Sequence, residues 1–322
     1  MRYRSLGATG LTVSEIGFGA WGIGGPSPGA TSYGPTDDAL SLRALARALE
    51  CGVTFFDTAN AYGDGHSEAL IGRALEGRRD AVVVATKAGF PSFGQAPDFS
   101  PEALRRSLEG SLRRLQTDHV DLFQLHSPPI DMLRDDAAIL DAVRALIREG
   151  KARTYGVSVR TPEDGLVAVR DLAVPVIQVN LNLLDQRAVD SGLIALAEQR
   201  GAALIARTPL CFGMLSGTLA DDARFDARDH RSRWSRAQIR RWLEGSRAFV
   251  AALEADGHGT PAQVALRYCL SHRAVASAIP GMLRPEEVDD NVGASDRGPL
   301  PAPALAEIAR IYASTEFFVS DP

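Results

Sequence analysis

Cysteine is scarce in this chain: Cys51, Cys211 and Cys269 are the only three in 322 residues. Three scattered thiols cannot all pair, and their spacings are not those that hold zinc, so a disulfide scaffold and a structural zinc site are excluded and no metal is expected. They read as buried, reduced thiols. Long apolar runs are missing too. Residues 1–10 carry no apolar stretch of the signal-peptide kind, and no window approaches the ~18 apolar residues that a membrane span needs. A cytoplasmic protein without a membrane partner is expected. Positive charge is not in excess either, since 35 Lys and Arg stand against 40 Asp and Glu, a formal charge of -5. That balance leaves no electrostatic footprint for a nucleic-acid partner, and any phosphate site has to be local.

What is present is ordinary globular material, 45% hydrophobic and 23% charged, enough for a large core. Short apolar runs recur at 14–20, 53–57, 82–87, 120–126, 153–158, 176–180, 203–207 and 275–280. Several are apolar at consecutive positions, the pattern of strands buried on both faces. Between them lie helix-period segments whose starts are well punctuated: Thr36-Asp37-Asp38, Ser67-Glu68, Ser100-Pro101-Glu102, Thr161-Pro162-Glu163 and Thr260-Pro261-Ala262-Gln263. A capping Ser or Thr, a Pro in the first turn and an acid beside it satisfy free amides and oppose the helix dipole. In the third segment Leu104, Leu108, Leu112 and Leu115 share one helical face, which packs on the sheet.

Eight strands alternating with helices, without a break in composition, predict a (β/α)₈ TIM barrel spanning 1–322 as one domain. An open doubly wound sheet is the alternative. Residues 2–13, around Gly7-Ala8-Thr9-Gly10, read as an N-terminal β-hairpin. Residues 209–259 read as an inserted loop with an extra helix from about Arg236, and 292–322 as a C-terminal tail. The inserted loop carries Arg224, Arg228, His230, Arg231, Arg233 and Trp234, and such insertions shape substrate sites.

One motif fails its context. Gly17-Phe18-Gly19-Ala20-Trp21-Gly22 matches G-x-G-x-x-G, follows a candidate strand and has Asp37 twenty residues after Gly17. The dinucleotide-binding use of that motif needs the third glycine to open a helix, whereas Ile23-Gly24-Gly25-Pro26-Ser27-Pro28-Gly29 follows here and cannot start one. The stretch reads instead as a barrel-top loop placing Trp21 over a pocket.

In a barrel the C-terminal strand ends converge on one face. The residues there are Asp57, Lys87, His126, Ser158, Gln178 and Arg207, and Tyr62 joins them from the loop after Asp57. An ammonium beside a phenol favours phenolate, so Lys87 is expected to lower the pKa of Tyr62, and a buried Lys87 needs Asp57 to keep its own charge. A neutral His126 orients a carbonyl oxygen by donating to it. Together the four can protonate an oxygen as it becomes an alkoxide.

At these residues the chain resembles the aldo-keto reductase family. The carriers are Asp57-Thr58-Ala59-x-x-Tyr62-Gly63, Ala85-Thr86-Lys87, Asp121 to His126, Gly156-Val157-Ser158, Ile177-Gln178-Val179 and Ile279-Pro280-Gly281. The resemblance implies a (β/α)₈ barrel that reduces aldehydes and ketones with NADPH, or NADH, bound extended; the expected partner is a small-molecule carbonyl substrate. By resemblance Tyr62 is the general acid and Asp57, Lys87 and His126 complete a tetrad. Ser158 and Gln178 match carboxamide-holding positions, Leu210, Gly213, Leu215 and Ser216 a pyrophosphate-covering segment, and Gly281, Arg284, Glu287 and Asn291 the adenosine end. Three departures stand out. Val159 replaces an asparagine, and Arg207 an aromatic that stacks on nicotinamide. The third is that Arg284 is the one obvious partner for a 2′-phosphate, beside Glu287, which can hydrogen-bond a ribose hydroxyl or repel the phosphate. Trp21, Phe90, Phe93 and Trp234 are expected to wall the substrate pocket, with the tail capping it slightly. A cofactor-binding accessory subunit with little turnover is the alternative function.

Overall fold

Eight short strands run parallel around one axis in the order in which the chain makes them, in a computed structural model that describes residues 1–28, 31–253 and 257–319. Gly29 of the loop above, residues 254–256 of the insertion and residues 320–322 of the tail lie outside the described residues. An antiparallel hairpin comes first, β1 (Tyr3–Ser5) and β2 (Thr12–Ser14), with Tyr3 opposite Ser14. The parallel strands are β3 (Phe18–Gly19), β4 (Phe55–Asp57), β5 (Val83–Ala88), β6 (Val120–His126), β7 (Ala152–Ser158), β8 (Val176–Asn180), β9 (Ala203–Arg207) and β10 (Val275–Ile279). Helices alternate with them. The order β3 to β10 closes on itself: Ile16 bridges Ala278 and Gly19 bridges Gly281, with Gly17 N–H donating to Ala278 O and Gly19 N–H to Pro280 O at 2.9 Å each. This is the (β/α)₈ barrel, and the open sheet is excluded by that seam.

The seam also explains the failed motif. A Cβ on Gly19 would lie 2.6 Å from Ile279 O, and one on Gly17 2.7 Å from the Phe55 ring. These glycines admit the close approach of first strand to last, and only the single 3₁₀ turn Gly22–Gly24 follows before the helix Asp38–Glu50. The apolar run at 14–20 is therefore not one strand. Ser14 ends the hairpin, its hydroxyl donating to Ile16 O, and the barrel strand proper is Phe18–Gly19.

Alternation along each strand sorts the core into two layers. Phe55, Val83, Ala85, Leu122, Val176, Ala203 and Ile205 fill the barrel, and Leu6, Leu11 and Val13 of the hairpin stopper its N-terminal mouth. Their neighbours on each strand, such as Phe56, Val84, Phe123 and Val157, face the helices, including Leu104, Leu108, Leu112 and Leu115 of the helix Pro101–Leu115. With polar inward residues displaced to the opposite end, that end becomes the working face.

Helix starts follow the expected capping at Ser100, Thr161 and Thr260, the last two with full capping boxes. Two differ. Asp37 rather than Thr36 caps Asp38–Glu50, accepting from Leu40 N–H. The helix His66–Ala74 starts after Gly65, and Ser67 is buried inside it, donating to Ala20 O at 2.8 Å and meeting Thr58 Oγ1. The inserted helix does begin at Arg236, as Arg236–Leu253. Cys211 and Cys269 are buried but Cys51 is only half so, because it caps the C-terminus of Asp38–Glu50 beside Asp289. Among the described residues no helix is long and apolar enough to cross a membrane.

Among the described residues the tail beyond Asn291 does not line the cleft at the barrel mouth. Phe317 is 2% exposed and packs on Phe249 and Tyr312, while Gln238 of the inserted helix donates to Phe317 O and accepts from Val319 N–H. Aromatic burial outweighs any reach toward the site, so the described tail is fastened to the outside.

Candidate active site

Inward-facing positions at the C-terminal strand ends bring the polar residues together. Lys87 on β5 is fully buried, and its Nζ donates to Asp57 Oδ2 at 2.5 Å, to Thr58 O at 2.9 Å and to the Tyr62 hydroxyl at 3.1 Å. Asp57 on β4 is 2% exposed, and its Oδ1 accepts from Gln124 Nε2 at 3.0 Å and Gln178 Nε2 at 2.8 Å. Both carboxylate oxygens are thus satisfied without water.

Tyr62 arrives from the turn Tyr62–Gly65, where Gly63 has φ +59° and any Cβ on it would run into Gly24 O. Glycine is required there by backbone contact as well as by dihedral. His126, the last inward residue of β6, lies edge-on to Tyr62 with centroids 5.9 Å apart, and its Nδ1 is buried with no partner among the described residues.

Electrostatics separates the four. Burial raises the Tyr62 phenol above its ordinary value; Lys87 pulls it down but does not win, so the expectation of a net lowering by Lys87 is corrected. The desolvation of a nearly enclosed ring exceeds the gain from an ammonium already neutralised by Asp57. Burial pulls the Lys87 pKa down, yet Asp57 and Tyr62 hold it above the usual lysine value. His126 is driven well below the ordinary imidazole value by burial and by the Lys87 and Arg207 charges. At neutral pH the site holds a protonated phenol, an ammonium–carboxylate pair and a neutral imidazole.

These groups open into a cleft of about 810 Å³ across the barrel mouth. Trp21, Phe93, Arg207, Leu210, Gly213 and Ser216 line it, as do Gly281, Arg284, Glu287 and Asn291. The inserted loop crosses the cleft: His230 N–H donates to Ser32 O at 2.7 Å, and Arg231, paired with Asp229, lies over the Tyr33 and Phe225 rings. Among the described residues no group of three or more His, Cys, Asp or Glu side chains could hold a metal.

The aldo/keto reductase family model matches residues 15–313, nearly the whole chain. The chain belongs to the aldo/keto reductase family. An aldo-keto reductase of Bacillus subtilis (strain 168) is 30% identical over 306 residues, 90% of this chain and 87% of its own. Among solved structures, the holo form of an aldo-keto reductase of Bacillus halodurans superposes with a TM-score of 0.79 at 29% identity, covering 97% of this chain and 96% of the other. Glycerol dehydrogenase of Gluconobacter oxydans gives 0.80 at 28%, covering 99% and 98%. This aldo-keto reductase is therefore an oxidoreductase of a family that works on carbonyl compounds with nicotinamide cofactors.

Several expected residues of this reductase sit differently from their expected places. Leu215 does not line the cleft; it is 2% exposed, and its N–H closes a turn on Leu210 O. Trp234 is not among the residues that line the cleft; it packs between Phe212 and Trp242 at 4.5 and 5.0 Å. Phe90 is not a lining residue, but its ring meets His126 edge-on at 5.4 Å and its carbonyl is held by Asn60. Ser158 is buried and donates to Gln178 Oε1 at 3.4 Å. Glu287 accepts from Leu283 N–H at 2.7 Å.

Sequence reasoning passed over Gln124, Tyr33 and Phe212. Gln124 lies two residues before His126 on the same strand face, so strand periodicity alone would have found it. Tyr33 and Phe212 carry no such signal, since loop residues have no period.

Proposed function

We propose that this aldo-keto reductase reduces an aldehyde or ketone to an alcohol, with Tyr62 supplying the proton and NADPH the hydride. The observation that carries this is the Lys87 ammonium donating to both Asp57 and the Tyr62 oxygen. With Lys87 filling an acceptor lone pair of the phenol, the Tyr62 O–H is left to point into the cleft, toward a carbonyl oxygen. Burial keeps that proton in place until it is needed, and the ammonium stabilises the phenolate that forms once it leaves. Neutral His126 donates to the same carbonyl oxygen and orients it. Phe93, stacked on Tyr62 and lining the cleft, shields the reacting carbon from water, and Phe90 supports the His126 ring edge-on from behind.

A nicotinamide cofactor, when bound, supplies the hydride. The residues present suit one. One cleft is lined by both Tyr62 and Asn291, and two buried nitrogens of residues that line it, His126 Nδ1 and Arg207 Nε, have no partner among the described residues. Ser158, Gln178 and Arg207 would hold the nicotinamide end. Leu210, Gly213 and Ser216 would cover the pyrophosphate, and Gly281, Arg284, Glu287 and Asn291 would hold the adenosine end, with exposed Arg284 toward a 2′-phosphate. We read residues 1–322 as one domain, since hairpin, insertion and tail all pack on one barrel, and place the protein in the cytoplasm, in keeping with its free thiols.

The test is Tyr62→Phe assayed across aldehydes, ketones, sugars and quinones with NADPH and with NADH. Turnover is expected to fall by roughly 10²–10⁴-fold while NADPH binding, read by fluorescence, persists. Turnover unchanged in that variant overturns the assignment.

A further inference from the structure

We propose that Arg207 makes this enzyme hold the reduced nicotinamide cofactor more tightly than the oxidised one, by leaving one uncompensated positive charge at the reacting centre. The inference rests on the carbonyl-reduction reading above and adds a direction to it.

The charges at the centre can be counted. Asp57 and Lys87 form an ion pair at 2.5 Å and cancel. Tyr62 keeps its proton and His126 is neutral, both by burial. What remains is Arg207. It ends β9, two residues beyond Ile205 of the barrel core and on the same inward face. Its Nη2 donates to Val159 O at 3.1 Å, and its Nε is buried with no partner among the described residues. No carboxylate lies within ion-pair distance of it among those residues, and the nearby Asp185 is already taken by Arg187 at 2.7 Å. Burial lowers its pKa, but a guanidinium starts so high that it stays charged.

Hydride and proton go to the carbon and oxygen of one carbonyl group. The nicotinamide ring and Tyr62 must therefore flank the same few ångströms, in the cleft that Arg207 lines together with Tyr62, Asp57 and His126. The ring is neutral when reduced and carries one positive charge when oxidised. A fixed cation beside the ring repels the oxidised form and is nearly indifferent to the reduced one. An aromatic side chain at the same place would distinguish the two only weakly. Among the described residues Arg207 is tied to the Val159 carbonyl and to no acid at ion-pair distance, so Asp57, already paired with Lys87, and Asp185, paired with Arg187, temper this difference only from a distance.

The experiment measures dissociation constants of NADPH and NADP⁺, and of NADH and NAD⁺, by calorimetry for the wild type, Arg207→Gln, Arg207→Tyr and Arg207→Lys, with thermal melts to confirm folding. The ratio of oxidised to reduced dissociation constants should drop about tenfold or more in the two neutral variants, each tenfold being about 1.4 kcal/mol, chiefly through tighter binding of the oxidised form. Arg207→Lys should keep most of the wild-type ratio. An unchanged ratio in Arg207→Gln and Arg207→Tyr, with both cofactor forms still bound, overturns the role of Arg207 and leaves the carbonyl-reduction reading standing. No binding of either form by the wild type overturns both.

Discussion

Replacing Asp57 by Asn isolates the energetic core of the site. The substitution keeps the shape and removes one charge, leaving the Lys87 ammonium, fully buried, with only the neutral acceptors Thr58 O and the Tyr62 oxygen. Breaking a buried ion pair from one side costs about 3–5 kcal/mol. A ceiling comes from Lys87 giving up its proton: moving a lysine from its ordinary pKa to neutrality at pH 7 costs about 5 kcal/mol. The two figures agree, so Asp57→Asn should lose about 3–5 kcal/mol in urea denaturation at pH 7. Adding Lys87→Met removes the stranded charge and should restore about 2 kcal/mol of it.

The pH dependence has a definite sign. In the wild type the Lys87 pKa is raised, so its contribution is present below the ordinary lysine value. In Asp57→Asn it becomes depressed, the unfolded chain binds the extra proton, and stability should rise from pH 7 to 9 by up to about 1.4 kcal/mol per unit. A variant within about 1 kcal/mol of the wild type, or a double variant no more stable than the single, refutes the account of a stranded charge.

His126 titrates in the folded state well below the ordinary imidazole value, chiefly through burial. Its penalty therefore appears as pH falls through about 6.5, where the unfolded chain takes up the proton first; stability should decline below that pH, and His126→Phe should flatten the decline in denaturation curves at pH 5–7. Arg284→Ala should cut the proposed NADPH preference over NADH by roughly tenfold, on the ~1–3 kcal/mol of a charge-assisted contact, measured as the ratio of kcat/KM values; an unchanged ratio removes Arg284 from the specificity site.

Much of the barrel was legible because its signals are local. Consecutive apolar residues mark strands buried on both faces, and Ser100, Thr161 and Thr260 cap helices by contacts within one turn. Where local and distant demands compete, reading failed. Ser67 looks like a cap but is claimed by Ala20 O across the core. The run at 14–20 looks like one strand but is divided between hairpin and barrel seam. Trp234 looks like a pocket wall but finds Trp242, a partner set by the fold of an insertion.

The candidate site divides along the same line. By itself the sequence determined that Asp57, Lys87, His126, Ser158 and Arg207 end their apolar runs, that Gln178 interrupts one, and that Tyr62 follows Asp57 by five residues, since period and spacing are properties of the chain. Only the tertiary structure decided which of them touch. Lys87 meets Asp57 and Tyr62, Gln124 joins Gln178 on the second carboxylate oxygen, and Arg207 has no ion-pair partner among the described residues. It also reversed the expected shift at Tyr62, because desolvation depends on everything packed around the ring, and its neighbours Lys87, Phe93, His126 and Arg207 come from segments distant in sequence.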